Sequence, residues 1–401
     1  MLARHQGQVV LVAGAIPGEQ VTARVDHVSK QVAFAESVSV LQPSTDRRGG
    51  PVDGACGGSV YAHIAYARQL SLKAEVVADS FMRIGKLALA GPVPVTSSRE
   101  DGYRTRARLH ARGGRLGFFR EGTHALCDAQ ATRQLLPGTH EALERATRAL
   151  GAAVTAGLTG CEILENVDAS ERVALFEVDD LPDALPSLDA VEGISGLFVA
   201  DRHTARPAVV FGSPYVTDAI EFEGLSIRVT HHVQSFFQGN RYLLATLVAR
   251  VLAQVPEGSV IDLYAGVGLF ALGLAVRRSG SVVAVEADRS SAHDLEANAA
   301  PFAGSLEVRH QAVEDYLTSR REASPDAVLL DPPRTGLSPL ALSGLVHLKP
   351  PRIIYLSCDP ATLARDVRRF VAAGYTLGHV EAFDLFPNTA HVEVLAALSA
   401  G

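Results

Sequence analysis

The chain has 401 residues, of which 47% are hydrophobic and 20% charged, and it carries a net charge of −7. This length exceeds what one hydrophobic core usually supports, so we expect a globular protein of two or three domains. The composition excludes a transmembrane helix, because no apolar run approaches the roughly 20 residues that such a helix needs. The first residues show no basic cluster followed by a long apolar stretch, so we expect a cytoplasmic location.

The four cysteines, Cys56, Cys127, Cys161 and Cys358, are widely spaced along the chain. Small disulfide-rich proteins have cysteines at short, repeated spacings, which this chain lacks. We therefore expect reduced thiols rather than a disulfide framework.

The first part of the chain is predicted to form short strands and then a helix. Residues 1–44 alternate Val and Ala with polar residues around turn signals, which is typical of a small β-barrel. The polar segment 42–54 contains Pro and Gly and is expected to be a domain boundary. Residues 61–85 have helical spacing, with an expected apolar face made of Ile64, Leu70, Val76, Val77 and Phe81.

The pattern of residues 101–228 predicts mostly strands, with one helix at 139–157. Residues 101–133 hold seven arginines and three acidic residues, a local charge of +4 that leaves −11 for the remainder. Such a basic patch can bind phosphates even on an acidic protein. A solvated hairpin rich in arginine is the alternative, and the residues alone leave both open.

From residue 238 onward, predicted strands alternate with predicted helices, which indicates a doubly wound and mainly parallel sheet. The expected fold class is α/β. We expect a barrel at 1–44, a β-rich central domain at 45–228 and a Rossmann-like domain at 229–401.

The segment VIDLYAGVGLFAL (260–272) predicts a strand, a glycine turn and a helix. Ligands bind at the carboxyl ends of strands in such sheets, and glycines such as Gly266 let the backbone approach a ligand closely. A dinucleotide fingerprint would place a third glycine where Ala271 stands, which argues against a nicotinamide cofactor. The simpler explanation is a tight turn without a ligand.

Glu286 ends the next predicted strand, VVAVE (282–286). A carboxylate about 20 residues beyond the glycines can accept hydrogen bonds from both hydroxyls of a ribose. Since NAD and S-adenosylmethionine both contain such a ribose, Glu286 leaves the identity of the cofactor open.

Three further side chains with chemical potential stand at or near the ends of predicted strands. Asp331 is followed by two prolines, whose restricted backbone can hold its carboxylate towards a cleft. Cys358 lies between a strand and a helix, and a helix N terminus favours the thiolate. Glu393 is flanked by valines, and burial would raise its pKa towards that of a general base. The respective alternatives are a simple turn, a small buried hydrophobe and a solvent-facing strand residue.

These segments resemble motifs of the RNA (uracil-5-)-methyltransferases of the TrmA and RumA type. The most specific motifs are SCDPATLARD (357–366) and FPNTAHVE (386–393), and HHVQSFFQGNRYL (231–243) adds support. GYRTRARLHA with GFFREGTH (102–124) resembles the RNA-binding segment of that family. Residues 8–44 resemble its TRAM domain, an OB-like barrel that binds RNA.

The resemblance implies roles for individual residues. Cys358 would be the nucleophile that attacks uracil, and Glu393 would be the base. The implied contacts to S-adenosylmethionine or the target base, with the glycine turn included, are Gln238, Tyr264, Gly266, Glu286 and Asp331. The RNA-binding residues expected within the basic segment are Arg104, Arg106, Arg108 and Arg120. The implied partner is tRNA or rRNA, with no membrane and no obligate protein partner, and the helix within 61–94 is expected to pack on the Rossmann-like domain.

The chain departs from the members of this family that hold an iron–sulfur cluster. Gly50 and Ser59 stand where such members have cysteines, which leaves only Cys56 and Cys127. Because iron–sulfur clusters normally take four thiolates, we expect no cluster and no other metal.

Two other functions stay open on the sequence. A methyltransferase acting on an exocyclic amino group of a base would use the Asp331 loop and need neither Cys358 nor Glu393. An RNA-binding protein with a vestigial site is the other, since Leu269 and Ala312 stand where many relatives carry asparagine.

Overall fold

The N-terminal strands form a sheet of their own. The computed structural model describes residues 1–49, 53–203, 207–277 and 280–401. Its first strands are β1 (Leu2–His5), β2 (Gln8–Ala13), β3 (Gln20–Ser29) and β4 (Val32–Gln42). They pair in the order β1-β2-β4-β3, with β1 and β3 at the edges. Helix α1 (Tyr66–Ser80) follows and continues as a π-helical turn at Phe81–Gly85.

A seven-stranded central sheet carries the arginine-rich segment. Its strands are β6 (Arg106–Arg112), β7 (Arg115–Phe119), β8 (Leu126–Cys127), β9 (Leu158–Glu165), β10 (Arg172–Val178), β11 (Gly196–Asp201) and β12 (Pro207–Gly212). Their order is β12-β11-β10-β9-β6-β7-β8, and α2 (Pro137–Thr155) covers one face. The helix predicted at 139–157 is thereby confirmed, whereas β9 was not predicted. A separate hairpin of β13 (Tyr215–Phe222) and β14 (Leu225–His232) spans the expected boundary at 228–229.

The C-terminal sheet has eight strands with helices on both faces, so the predicted α/β fold is confirmed. The strands are β5 (Val95–Thr96), β15 (Val260–Leu263), β16 (Val282–Glu286), β17 (Leu306–His310), β18 (Ala327–Leu330), β19 (Arg352–Ser357), β20 (Tyr375–Phe383) and β21 (Glu393–Ala400). The helices are α3 (Leu244–Ala253), α4 (Leu269–Arg277), α5 (Arg289–Ala299), α6 (Val313–Ser319), α7 (Pro339–Leu348) and α8 (Pro360–Ala372).

The order of this sheet is β17-β16-β15-β18-β19-β21-β20-β5. Strands β15 to β19 are mutually parallel, while β21 runs antiparallel to both β19 and β20. Apolar cores lie on the two faces of the sheet, as a doubly wound fold requires. Within the described residues, none of the helices combines the length and the apolar character that crossing a membrane requires.

Helix α1 packs against α8, on the outer face of the C-terminal sheet. The predicted apolar face of α1 is partly wrong, because Val76 is 47% exposed and Leu70 only half-buried. The polar residues Gln69 and Lys73 are buried instead. Periodicity counts apolar residues only, and it misses polar side chains whose hydrogen bonds are satisfied inside the protein.

Two of the four cysteines are joined by a disulfide, Cys56–Cys127, although they are 71 residues apart. The expectation of reduced thiols was therefore wrong for this pair, and the other two cysteines are free. The segment around Cys56 lies along the β7–β8 hairpin, where the N–H of Gly57 donates to the carbonyl of Phe119. Sequence spacing cannot reveal that pairing, because the contact arises from tertiary structure.

Candidate active site

The predicted site residues gather at one edge of the C-terminal sheet. Tyr264 directly follows β15, Glu286 ends β16, Asp331 follows β18 and Cys358 follows β19. These four strands are parallel and in adjacent register, so their carboxyl ends meet along the same edge, which we call the cleft.

Cys358 and Glu393 occupy corresponding positions on neighbouring antiparallel strands. Ser357 of β19 pairs with Val394 of β21, so the next residue on one strand faces the preceding residue on the other. Glu393 is buried and Cys358 is half-buried. The structure therefore brings a thiol and a carboxyl group together, although 35 positions separate them in the sequence.

The Cys358 thiol lies among groups that shift its pKa in both directions. Burial and then the charge of Glu393 raise the pKa of Cys358, while the guanidinium of Arg334 contacts the thiol and lowers its pKa. The N terminus of α8 was expected to favour the thiolate. Asp359 caps that helix by accepting a hydrogen bond from the N–H of Thr362, which adds negative charge there. Arg334 is a charged group that favours the thiolate, and the contribution of the helix N terminus stays a prediction.

Two carboxyl groups flank the thiol, the buried Glu393 and the partly exposed Asp331. Burial raises the pKa of Asp331 to about 7, and a hydrogen bond donated by Nε2 of Gln238 to Oδ2 at 3.3 Å opposes this rise. Burial and the charge of Asp331 raise the pKa of Glu393 well above its ordinary value, while Arg334 lowers it. Gln238 and Asp331, both predicted as site residues, are thus in direct contact.

The glycine turn and Glu286 form one hydrogen-bonded unit. The N–H of Gly266 donates to Oε2 of Glu286 at 2.8 Å, and the N–H of Asp288 donates to Oε1 at 2.7 Å. A side chain at Gly266 would meet nothing within 4 Å, so there is open space beside the turn. Tyr264 and Gly266 both have positive φ, at +64° and +56°, which bends the chain sharply after β15.

Asp262 is a candidate site residue that the sequence pattern did not lead us to assign. Its side chain is fully buried, and neither oxygen makes a hydrogen bond of ordinary geometry within the described part of the chain. Burial and the charge of Asp331 raise its pKa well above the ordinary value, and the N–H of Ala271 acts in the opposite direction. The signal was present, because a carboxylate inside the apolar strand VIDLY is as unusual as Glu393 within its valines.

Arg334 is the second residue that was missed, and its loop is held firmly. Oδ2 of the buried Asp366 accepts hydrogen bonds from the N–H of Leu337 and the hydroxyl of Tyr355, each at 2.9 Å. Its position directly after Asp331-Pro-Pro could have indicated it.

These residues fit S-adenosylmethionine as a ligand. Glu286 keeps free lone pairs for ribose hydroxyls, Gly266 leaves space, and the unpartnered carboxylate of Asp262 suits a cationic group. Leu269 and Ala312 add no polar contact, because Leu269 is buried in the core and Ala312 caps α6 without a side-chain hydrogen bond.

The residues present do not fit an iron–sulfur cluster. Cys56 and Cys127 are bonded to each other, and Ser59 stands at the third ligand position. Gly50, at the first position, lies outside the described residues. A cluster held by four thiolates has no set of ligands here.

The four arginines expected to bind RNA all contact acceptors within the protein. Arg104 donates to Gln134, Arg106 to Glu162 and to the carbonyl of Ser235, Arg108 to Glu177, and Arg120 to Asp53. Arg108 is still exposed, whereas Arg104, Arg106 and Arg120 are partly buried. Their contact with RNA stays a prediction.

Comparison with known proteins identifies related sequences along the whole chain. The family model described as tRNA (Uracil-5-)-methyltransferase matches residues 197–400, and the TRAM domain model matches residues 1–38. An uncharacterized RNA methyltransferase of Gloeobacter violaceus is 32% identical over 98% of this chain and 92% of its own length. The 23S rRNA (uracil(1939)-C(5))-methyltransferase RlmD of Cronobacter sakazakii is 30% identical, also over 98% of this chain and 92% of its own length.

A solved structure shares the fold. The tRNA (uracil-54, C5)-methyltransferase of Pyrococcus abyssi, solved with S-adenosyl-L-homocysteine, has a TM-score of 0.78 at 24% identity, covering 97% of this chain and 94% of that chain. The sequence matches extend over both the N-terminal sheet and the C-terminal sheet, and they favour methylation of uracil carbon 5 over the two alternative functions left open by the sequence. The chain therefore belongs to the tRNA (uracil-5-)-methyltransferase family, and it is an S-adenosylmethionine-dependent RNA (uracil-5-)-methyltransferase.

Proposed function

We propose that the protein methylates carbon 5 of a uridine through a covalent bond between Cys358 and carbon 6 of the base. The observation that carries this proposal is the placement of Cys358 and Glu393 on neighbouring strand positions, with Arg334 against the thiol. A nucleophile and a base on opposite strands can act on adjacent carbons of one ring.

The reaction needs the cysteine because carbon 5 of uracil is a poor nucleophile. The Cys358 thiol first loses its proton to solvent water, and formation of the Sγ–carbon 6 bond then converts the ring into an enolate that is nucleophilic at carbon 5. When bound, S-adenosylmethionine would supply an electrophilic methyl group to carbon 5, with its sulfur–methyl bond broken and S-adenosylhomocysteine released. Glu393 then removes the carbon 5 proton, the Sγ–carbon 6 bond breaks, and the ring double bond and the thiolate are restored.

Arg334 supports both halves of this cycle. Its positive charge lowers the pKa of Cys358 and of Glu393, which burial raises. It therefore increases the fraction of thiolate for attack and of carboxylate for proton removal. Gln238 and Asp331, in contact with each other, present an amide and a carboxyl group that can hydrogen-bond to the edge of a planar base.

We propose ribosomal RNA as the first substrate to test, because relatives of at least 30% identity include enzymes named for 23S rRNA. A uridine inside structured RNA must be extruded to reach a half-buried thiol. Phosphates are expected to contact the basic segment 101–133 and the N-terminal sheet. Mapping 5-methyluridine in cellular RNA with and without the gene decides between rRNA and tRNA.

The division of labour between Cys358 and Glu393 is tested with RNA and a labelled methyl donor on a denaturing gel. Glu393→Gln keeps the shape of the side chain but removes the base, so this variant should methylate once and stall as a covalent RNA–protein adduct. Cys358→Ala should neither methylate nor form an adduct. The double variant should behave as Cys358→Ala, because the second step is never reached.

Matched controls are available in the same chain. Cys161→Ala removes a buried free thiol of the central sheet, and Glu381→Gln removes a buried carboxyl group from β20. Both should retain most of the activity. Full turnover in either Cys358→Ala or Glu393→Gln, or an adduct in Cys358→Ala, would show that the roles are assigned wrongly.

A further inference from the structure

Helix α1 turns two polar side chains towards the loop that leads into Glu393. Gln69 and Lys73 lie one helical turn apart, and their exposed fractions are 0% and 1%. Both are more buried than Leu70 or Val76 of the same helix. A lysine is almost never fully buried unless a partner matches its charge.

Lys73 finds that partner at the end of β20. Its Nζ donates to Oδ1 of Asp384 at 2.5 Å and to the carbonyl of Phe386 at 3.2 Å. The side chain of Asp384 is itself fully buried. Burial lowers the pKa of Lys73 and raises that of Asp384, so each group depends on the other to stay charged.

Gln69 fixes the same loop a few residues further on. Its Nε2 donates to Oδ1 of Asn388 at 2.9 Å, and its Oε1 accepts a hydrogen bond from the N–H of Asn388 at 3.0 Å. Asn388 has a φ of +65°, a conformation that asparagine adopts more readily than most residues. The two side chains of α1 thus hold both ends of the segment 384–388.

This segment belongs to the connection between β20 and the strand that begins with Glu393. Phe383, the last residue of β20, pairs directly with Glu393. Asp384, which contacts Lys73, therefore lies one residue beyond Phe383, the strand partner of Glu393. A shift of this loop would move the backbone of Glu393 relative to β19, which carries Cys358.

We propose that Lys73, assisted by Gln69, is a positioning residue for Glu393. Its ion pair with Asp384 holds the 384–388 segment, and that segment fixes the carboxyl group that takes the carbon 5 proton. The inference rests on the function proposed above for Glu393. Lys73 does not contact Glu393 itself, and its effect on Glu393 passes through the 384–388 segment.

The step that Lys73 influences predicts an unusual kinetic pattern. Methyl transfer is irreversible, and steps after the first irreversible step do not enter kcat/KM. A misplaced Glu393 slows only the later proton removal. Lys73→Met should therefore lower kcat about tenfold, leave kcat/KM for RNA within about twofold of the wild type, and accumulate the covalent adduct.

Val77→Ala is the matched control. Val77 lies one turn beyond Lys73 on α1, is equally buried, and packs in the apolar core around α8. Its truncation loosens the helix without removing a polar contact to the loop. It should lower stability, and it should not accumulate the adduct at a temperature where the variant stays folded.

The measurements are steady-state methylation of RNA and the adduct fraction on a denaturing gel, for the full chain. If Lys73→Met lowers kcat and kcat/KM equally without an adduct, or behaves as the wild type, the inference is wrong. If Lys73→Met does not fold, Gln69→Met and the double variant Lys73→Met with Asp384→Asn, which leaves no unpaired buried charge, decide by the same criteria.

Glu393→Gln separates the inference from the function on which it rests. If Glu393→Gln fails to accumulate the adduct, the proposed role of Glu393 is wrong and the inference fails with it. If Glu393→Gln stalls as an adduct while the Lys73 and Gln69 variants do not, only the inference is wrong.

Discussion

A fully buried carboxyl group accepts several hydrogen bonds at the central sheet, whereas another in the cleft accepts none of ordinary geometry within the described residues. At the end of β9, the fully buried Glu165 accepts hydrogen bonds from the hydroxyl of Thr139, from Nε of Arg172 at 2.7 Å, and from Arg241. In the cleft, Asp262 is equally buried, but within the described residues neither oxygen has a hydrogen bond of ordinary geometry.

Glu165 has charged partners in the folded chain, whereas we expect a bound ligand to compensate the charge of Asp262. A buried carboxylate matched by arginines has its charge compensated in the folded chain. An unmatched one destabilises the fold until a ligand compensates it. The lack of a charged partner therefore distinguishes Asp262 from the equally buried Glu165.

The largest loss of stability is expected when the ion pairs of Glu165 with Arg172 and Arg241 are removed. Glu165→Gln should lower the free energy of unfolding by about 3–5 kcal/mol, because it leaves Arg172 and Arg241 without a buried counter-charge. Denaturant unfolding measures this change. Glu36→Gln is the control, since its pair with Arg24 lies at the surface and should contribute less than about 1 kcal/mol. Equal losses in the two variants would contradict the comparison.

In the cleft, the same kind of substitution should have the opposite effect on stability. Asp262→Asn should leave the free protein as stable as the wild type or more stable, because it removes an unmatched buried carboxyl group. Its affinity for S-adenosylmethionine should fall at least about tenfold, or about 1.4 kcal/mol. Calorimetric titration and thermal unfolding measure the two quantities.

Asp326→Asn serves as the control for this substitution, because Asp326 lies at the other end of β18 and accepts hydrogen bonds from Ser259. It should lower stability slightly and leave the affinity for S-adenosylmethionine unchanged. Unchanged affinity in Asp262→Asn would remove this residue from the proposed cofactor site.

The pH dependence of stability should also differ in sign between a matched and an unmatched carboxyl group. Burial raises the pKa of Asp331 to about 7 from an ordinary 3.8, so the folded protein binds the proton more tightly than the unfolded chain. Asp331 therefore lowers the free energy of unfolding of the protein as pH rises from about 4 to about 7. Asp331→Asn should flatten that part of the curve, by on the order of 1 kcal/mol for each pKa unit that partial exposure leaves effective.

Glu19 supplies the opposite sign in the N-terminal sheet. The Arg47 guanidinium lowers the pKa of Glu19 to about 2, so its contribution is present above its ordinary value of 4.5 and lost as pH falls towards 2. Glu19→Gln should lower stability above about pH 5, and this difference from the wild type should shrink as pH falls from about 5 towards 2. Unfolding of the ligand-free protein across pH 3–8 compares both variants, and the same sign for the two would contradict the argument.

Most of the C-terminal fold could be predicted from the sequence, because strands such as VVAVE and AVLL are uninterrupted apolar runs between helical patterns. Strand β20 was missed, since Gly378, His379 and Glu381 interrupt its pattern and a bulge shifts its register after Leu377. Strand β9 was missed because Gly160 and Glu162 dilute its apolar character.

Site residues at the ends of strands could be predicted from the sequence. Site residues whose role depends on a contact with a distant side chain could not. Cys358 could be proposed from its place between a strand and a helix. The contact of Arg334 with that thiol, and of Lys73 with Asp384 across 311 positions, requires the folded chain. A pattern of residues reports which side chains are buried far better than it reports which of them are partnered.

RNA affinity should depend on arginines that the central sheet leaves unmatched. Arg112 and Arg115 face each other across the β6–β7 turn, are exposed, and have no ion pair within the described residues. Their double replacement by alanine should lower the salt slope of RNA binding by roughly two units. Arg104→Ala with Arg106→Ala should change the slope less and stability more, because both donate to internal acceptors. Equal slopes in both double variants and the wild type would place the RNA path elsewhere.

The smallest effect on methylation is expected from adding or removing iron, because two of the thiols that could bind it are joined in a disulfide. Cys56 and Cys127 form a disulfide, and Ser59 offers no thiolate. The protein purified without oxygen should therefore be colourless, and an iron chelator should leave methylation unchanged. Prior reduction of the disulfide, followed by iron and sulfide, should still produce no absorbance in the visible blue, since two thiolates cannot complete a four-thiolate set. Stoichiometric iron with such absorbance would show that this part of the chain can bind an iron–sulfur cluster and would contradict the prediction.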